Sequence, residues 1–307
     1  KFLNNNSLEK IGYVSVLFKQ EDLLPDLFKG ISIQTVQPYC VYLIDNAPSP
    51  GMHHMIESIR KQYPFLRIQH LENSKNLGAA EANNIGIKMA IHDGCSACIL
   101  SNTDIVYDNP TLFSEMVKLS EENNAAVIAP KIYYFNTNKI WYAGGDVVKW
   151  KGGVVHFHDQ KVDNIDSDKS CFTGYAPTTF VYIKTDVFKD AGFLDKQYFL
   201  YMEDTEWMYR AQLSGYKIWY AANIHLMHKV SITTGGILSD LGIYYNTRNR
   251  LFFIREYFHF FTKCMASFYT IASTSFFVMK KWTLSSWKAY FKAVRDGFCT
   301  TLKPQRD

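Results

Sequence analysis

The chain has 307 residues, with 33 Lys+Arg against 29 Asp+Glu and a formal net charge of +4. That length suits one large α/β domain or two modest ones, and shares of 47% hydrophobic and 20% charged residues exclude a disordered chain. Six cysteines are too sparse for a disulfide scaffold, so Cys95 and Cys98, a lone C-x-x-C in an apolar run, are expected as buried thiols of a reducing compartment.

The first half alternates strand and helix signals. Residues 12–18 (GYVSVLF) form a β-rich apolar run of the buried-strand type, residues 23–33 follow with helical spacing, and residues 40–44 (CVYLI) read as a second buried strand. Residues 52–63 are expected as a helix stopped by Pro64, 66–71 as a third strand, 79–92 as a helix and 97–100 as a fourth strand. Strands separated by helices at this spacing imply βαβ units and a parallel sheet, whose ligands bind at the carboxyl ends of the strands. Beyond about residue 130 the pattern changes. Gly144-Gly145 and Gly152-Gly153 punctuate a hairpin excursion, residues 180–183 and 217–220 read as short strands, and 186–191 and 204–213 as helices.

From Tyr244 onward the chain reads as helical, amphipathic and basic. Residues 246–307 hold 11 Lys+Arg, 3 Asp+Glu and 15 of the 48 aromatics, so this fifth carries +8 and residues 1–245 carry −4. Basic-plus-aromatic composition suits nucleic acid or an anionic membrane surface. No nucleic-acid motif accompanies it, so nucleic acid is not an expected partner. Residues 1–6 lack an apolar signal core, and the longest uncharged run, residues 264–279, is shorter than the roughly 18–20 apolar residues a spanning helix needs. The chain is expected to touch a membrane rather than cross it.

Polar residues gather at the strand ends. Asp45-Asn46 follows CVYLI, and Asp45 either caps its own turn or accepts hydrogen bonds from a nucleobase or ribose. Asn76-Leu77-Gly78, then Asn83, opens a helix whose N-terminus favours anions, without a P-loop or G-x-G-x-x-G pattern. Asn102-Thr103-Asp104 ends the fourth strand as an Asx turn or as a carboxylate for Mg²⁺ with a diphosphate present. In FLYMEDTE, residues 199–206, Asp204 either caps a helix, with Glu203 and Glu206 favoured by the dipole, or serves as a general base at an apolar wall. His225 and His228 follow the strand KIWY, and His156 and His158 alternate on an expected surface strand without an assigned role.

The order of these pieces resembles the family 2 glycosyltransferases, most closely the bacterial rhamnosyltransferase-like branch that builds surface polysaccharides. It runs from Tyr13 to Gly236 through a strand-end Asp45, N-L-G-x-A-x-x-N-N, Asn-x-Asp, Phe172-Thr173-Gly174, F-L-Y-M-E-D and His228. Ala191-Gly192-Phe193-Leu194-Asp195 and Arg248-Asn249-Arg250-Leu251 are similar too. The resemblance implies a GT-A fold, a Rossmann-like mixed sheet flanked by helices, catalytic over residues 1–245, with a helical extension over 246–307. It implies inverting, metal-dependent (Mg²⁺ or Mn²⁺) transfer of rhamnose or another hexose from a nucleoside-diphosphate sugar, UDP- or dTDP-linked, to a saccharide or polyprenyl-linked acceptor.

By the same resemblance Asp45 contacts the nucleobase or ribose, with Asn76, Gly78 and Asn83 near the nucleotide. Asn102 and Asp104 stand at the D-x-D-like metal motif and His228 at a further metal ligand. Asp204 is the acceptor base and Glu203 shapes its pocket. A metal on the phosphate side cannot also be the base on the opposite face, so Asp104 and Asp204 take different roles. The chain departs from the pattern at Lys19 (often Asn), Pro48 (usually Ser) and Glu206 (usually Asp). A non-catalytic glycan-binding or scaffold protein of the same fold is the alternative. The expected place is cytoplasmic, with a peripheral position on the inner face of the cell membrane as one option, and the tail aromatics also suit core packing or a homodimer.

Overall fold

The computed structural model describes residues 9–230 and 239–301. The end of the family resemblance, to Gly236, therefore lies outside the described residues. The chain opens as β1 (Ile11–Leu17), α1 (Leu24–Ser32), β2 (Cys40–Asp45), α2 (Pro50–Gln62), β3 (Ile68–Glu72), α3 (Gly78–His92) and β4 (Ala97–Ser101). These four strands run parallel in the order β3-β2-β1-β4. β1, β2 and β4 are apolar runs because both faces are covered. The helix α3 lies close on β1 and β2 through Gly86, where a Cβ would sit 2.3 Å from Val14 Cγ1.

The second half completes a ten-stranded mixed sheet. It comprises β5 (Ile105–Val106), α4 (Leu112–Glu122), β6 (Val127–Tyr134), β7 (Ile140–Tyr142), β8 (Gly145–Val148), β9 (Gly153–His156), β10 (Cys171–Thr173), β11 (Phe180–Lys184), α5 (Val187–Asp190), α6 (Glu203–Leu213) and β12 (Ile218–His228). β11 is antiparallel to both β4 and β6, β12 runs parallel to β6, and β8 with β9 makes a separate hairpin. The order reverses at β1/β4, and the polar tips of the strands gather at the carboxyl end there.

Among the described residues three helices follow: α7 (Asp240–Tyr257), α8 (Phe260–Lys281) and α9 (Leu284–Cys299). The tail aromatics divide by burial. Phe252, Phe253 and Phe258 are buried with Leu251 and Ile254 against Tyr198 and Met202, the segment leading into α6. Phe260, Phe261, Phe268, Phe276 and Phe277 are exposed. No helix among the described residues is long and apolar enough to cross a membrane. Cys95 and Cys98 are free and buried, and burial raises both thiol pKa values.

Candidate active site

The first half of the site is built where β4, β5 and β12 meet. After β4 the chain turns through Asn102-Thr103-Asp104 into β5, which pairs antiparallel with the end of β12 so that His228 stands opposite Ile105. This pairing places His228 Nε2 3.2 Å from Asp104 Oδ2, both side chains buried. Asp104 Oδ1 and His228 Nδ1 are also buried, and neither has a hydrogen-bond partner among the described residues. Buried polar atoms are seldom left unpaired without a reason. A carboxylate and an imidazole are donors that a divalent cation accepts, so this pair fits the metal that the sequence pattern implies. Asn102 is exposed at the same tip, its backbone N–H donating to the Thr179 carbonyl at 2.9 Å.

The second half is the start of α6. Asp204 is not the helix N-cap. That position falls to Met202, in the left-handed region at φ 70° with no side-chain cap. Asp204 Oδ1 accepts from the Thr205 N–H at 2.6 Å, and Oδ2 accepts from the Tyr175 hydroxyl at 2.6 Å. Burial first, then the Asp204 charge, pushes the Tyr175 phenol well above its ordinary range, so it stays a donor. Glu203 is buried, and its Oε2 has no hydrogen-bond partner among the described residues. Burial, then the Asp204 charge, pushes its carboxyl up to about 8, so at neutral pH it is mainly protonated despite the helix dipole.

A chain of rings joins the two halves. Trp141 on β7 lies edge-on to His228 and to His156, each with ring centroids 4.7 Å apart. His156 stacks on Tyr175 at 5.6 Å, and Tyr175 bonds Asp204. His156 Nδ1 is 2.9 Å from the Trp141 carbonyl oxygen, and burial lowers its pKa. His156, expected on a surface strand, instead stands inside the site. Trp141 and Tyr175 carry no local sequence signal. The Gly pairs framing the 142–157 excursion were the one hint that the segment folds back over the sheet.

The residues that the sequence pattern puts on the nucleotide side lie at the tips of β2 and β3 and at the start of α3. Asp45 is fully buried, its Oδ1 accepting from the Ala47 N–H at 2.9 Å as an Asx turn does and its Oδ2 3.3 Å from His70 Nε2. Asn76 Oδ1 accepts from the Gly78 N–H at 2.9 Å, and Asn83 Nδ2 donates to the Ala79 carbonyl at 3.0 Å. Gly78, at φ +83°, is glycine for a second reason: a Cβ would sit 2.4 Å from the Phe199 carbonyl oxygen. The neighbouring Ala79 N–H donates to that oxygen at 2.6 Å. Asn46, beside Asp45, donates to the Gly78 carbonyl at 3.1 Å, so the β2 tip, the α3 start and the approach to α6 form one connected framework.

That approach is held from the C-terminal helices. Phe199, Tyr201 and Met202 all have positive φ, and the fully buried Asn249 of α7 reaches the carbonyls of Tyr198, Leu200 and Tyr201 at 2.6, 2.8 and 2.8 Å. Arg248 Nη2 adds bonds to the Gln197 and Tyr198 carbonyls at 2.9 and 3.1 Å. Glu206 sits in a further network with Arg210 (Nε to Oε1, 2.7 Å) and the Tyr257 hydroxyl.

Comparison with known proteins agrees with this architecture. The chain is 21% identical over 247 residues to a low-salt glycan biosynthesis hexosyltransferase of Haloferax volcanii, covering 79% of this chain and 75% of that protein. It is 23% identical over 189 residues to a dTDP-rhamnosyl transferase of Shigella flexneri, covering 59% and 61%. Among solved structures, a mannosyltransferase from Pyrobaculum calidifontis in complex with GDP-Man and Mn²⁺ superposes with TM-score 0.59 at 10% identity over 95% of this chain and 88% of that one. S. aureus TarS 1-349 gives 0.60 at 14% identity over 94% and 80%. The fold is that of these GT-A enzymes. Residues 14–185 match the glycosyl transferase family 2 model, more than half of the chain, and the protein belongs to that family.

Proposed function

We propose that this glycosyltransferase transfers rhamnose or another hexose, with inversion, from a nucleoside-diphosphate sugar to a saccharide or lipid-linked acceptor of a bacterial surface polysaccharide. The observation that carries the reading is the ring chain from the Asp104–His228 pair to Asp204, which sets a metal-type donor pair and a positioned carboxylate on two sides of one aromatic wall.

In this reading Asp104 and His228 hold a divalent cation, Mg²⁺ or Mn²⁺. Such an ion supplies charge neutralisation for the departing diphosphate. Asp45, Asn76, Gly78, Asn83 and Asn102 line the nucleotide side. Asp204 takes the proton of the acceptor hydroxyl, while the Tyr175 hydroxyl and Thr205 N–H hold its carboxylate in one orientation and leave lone pairs free for that proton. Neutral Glu203 lines the pocket without adding a second negative charge beside the base. Trp141, His156 and Tyr175 pack as a chain of rings and exclude water between the two halves.

Residues 246–307 are read as a membrane-facing extension. Phe261, Met265, Phe268, Phe276 and Met279 are exposed on α8 at intervals that keep them near one stripe, with Lys263, Lys280 and Lys281 on the same helix. Apolar insertion with flanking cations suits an anionic leaflet and an acceptor carried in it. A homodimer burying the same stripe is the other outcome, visible as doubled mass in sedimentation.

The test is thermal stabilisation by UDP, dTDP and GDP, each with and without Mn²⁺ or Mg²⁺. A ligand at a hundred times its Kd adds about 2.7 kcal/mol. A metal-dependent rise with one nucleotide, lost in Asp104→Asn, is expected. No rise with any of them in folded protein would contradict the reading.

A further inference from the structure

Away from Asp104 and Asp204, two imidazoles and a carboxylate converge over the outer strands of the sheet. His53 lies in the first turns of α2, and His70 and Glu72, two residues apart on β3, share one face of that strand. One ring nitrogen from each histidine and one Glu72 oxygen lie within 4.8 Å of one another. His53 Nε2 is 2.6 Å from Glu72 Oε1, and the buried Asp45 carboxylate stands 3.3 Å from the His70 ring. Among the described residues, no Lys or Arg forms an ion pair with Asp45 or Glu72.

With neutral imidazoles this group carries two negative charges and presents two nitrogen ligands, the complement of a divalent transition-metal ion. A fully buried carboxylate on a metal-ligating imidazole is the usual outer partner of such sites, fixing the ring and raising its basicity. Imidazole-rich sets favour ions of the zinc class over Mg²⁺, which prefers oxygen ligands and retained water. We propose that His53, His70 and Glu72, backed by Asp45, form a second metal site for a Zn²⁺-class ion, separate from the Asp104–His228 pair. Three protein ligands leave a further position open to water or a ligand atom.

The test needs no turnover. Metal-free full-length protein is titrated with Co²⁺, read by its visible absorption bands, and with Zn²⁺ by calorimetry. The expected result is a Co²⁺ signal displaced by Zn²⁺, weakened by at least about tenfold in His53→Ala and in Glu72→Gln, and retained in His228→Ala. The His53 and Glu72 side chains are 57% and 37% exposed, so both variants are expected to keep the metal-free melting temperature, which is measured alongside. Absence of a Co²⁺ signal, or a signal lost in His228→Ala and kept in His53→Ala, would overturn the proposal.

Discussion

Replacing Asn249 tests whether α7 braces the loop that leads into the proposed catalytic residues. Its amide faces the carbonyls of Tyr198, Leu200 and Tyr201, sharing the first with Arg248, in a position with no solvent exposure. The loop it holds carries three non-glycine residues at φ 60°, 63° and 70°, each costing roughly 1–2 kcal/mol. Asn249→Asp keeps the volume but turns the donor into a carboxylate facing carbonyl oxygens, so it isolates the hydrogen bonds from packing. Each buried acceptor left unpaired costs about 1–3 kcal/mol, and water reaching part of the gap reduces the sum, so a loss of about 2–4 kcal/mol is expected. For a chain of this size that is a fall of roughly 3–6 °C in Tm. The loop leads directly into Glu203 and Asp204, and a displacement of about 1 Å in a reacting group costs on the order of 10²-fold in rate. Nucleotide affinity, which the proposal assigns to the strand tips, should stay within a few fold. The assays are thermal melting, nucleotide titration and kcat with a matched donor and acceptor. Unchanged melting and unchanged kcat in Asn249→Asp would refute the bracing role.

Other expectations follow from the same geometry. Tyr175→Phe removes a hydrogen bond to a charged group, worth about 1.5–3 kcal/mol, and should lower kcat by about 10–100-fold with donor affinity kept; an unaltered kcat would contradict it. Glu203 has its folded pKa raised from 4.5 to about 8, so the stability it contributes is fully present below pH 4.5 and is lost as pH rises to 8, with a slope of at most about 1.4 kcal/mol per pH unit. Glu203→Gln should flatten that slope, and urea midpoints at pH 5, 6.5 and 8 that run parallel in both proteins would exclude it. On α8, Phe261→Ser with Phe268→Ser should reduce flotation with anionic vesicles while leaving melting unchanged, because both rings are exposed. Equal flotation would remove the membrane reading. Point variants are the right tool, since cutting at residue 245 would strip Asn249, Phe252 and Phe253 from buried positions.

The parallel half was legible because its strands and helices bury opposite patterns in one chain segment each. β1 through β4 appear within a residue or two of the expected runs, since continuous apolar stretches and helical spacing are local signals. β6 was not anticipated: Pro130 argues against an interior strand, and it is tolerated where β12 loses register between Ala221 and His225. That irregularity also lets β12 run on to His228, well past the expected end near Tyr220. Asp104, His228 and Asp204 were readable as residue types in a family order. Their neighbours Trp141, His156 and Tyr175 were not, because only long-range strand pairing brings them together. Asn249 stood in a recognisable R-N-R-L string, yet its partners lie about fifty positions upstream, beyond any local pattern.

The central claim, that Asp204 is the base, is met most directly by Asp204→Asn measured for both nucleotide binding and sugar transfer. Asn keeps the shape and can still bond Tyr175, but cannot take a proton. Transfer should fall by about 10²–10⁴-fold with metal-dependent nucleotide binding unchanged. Turnover at the wild-type rate would contradict the account.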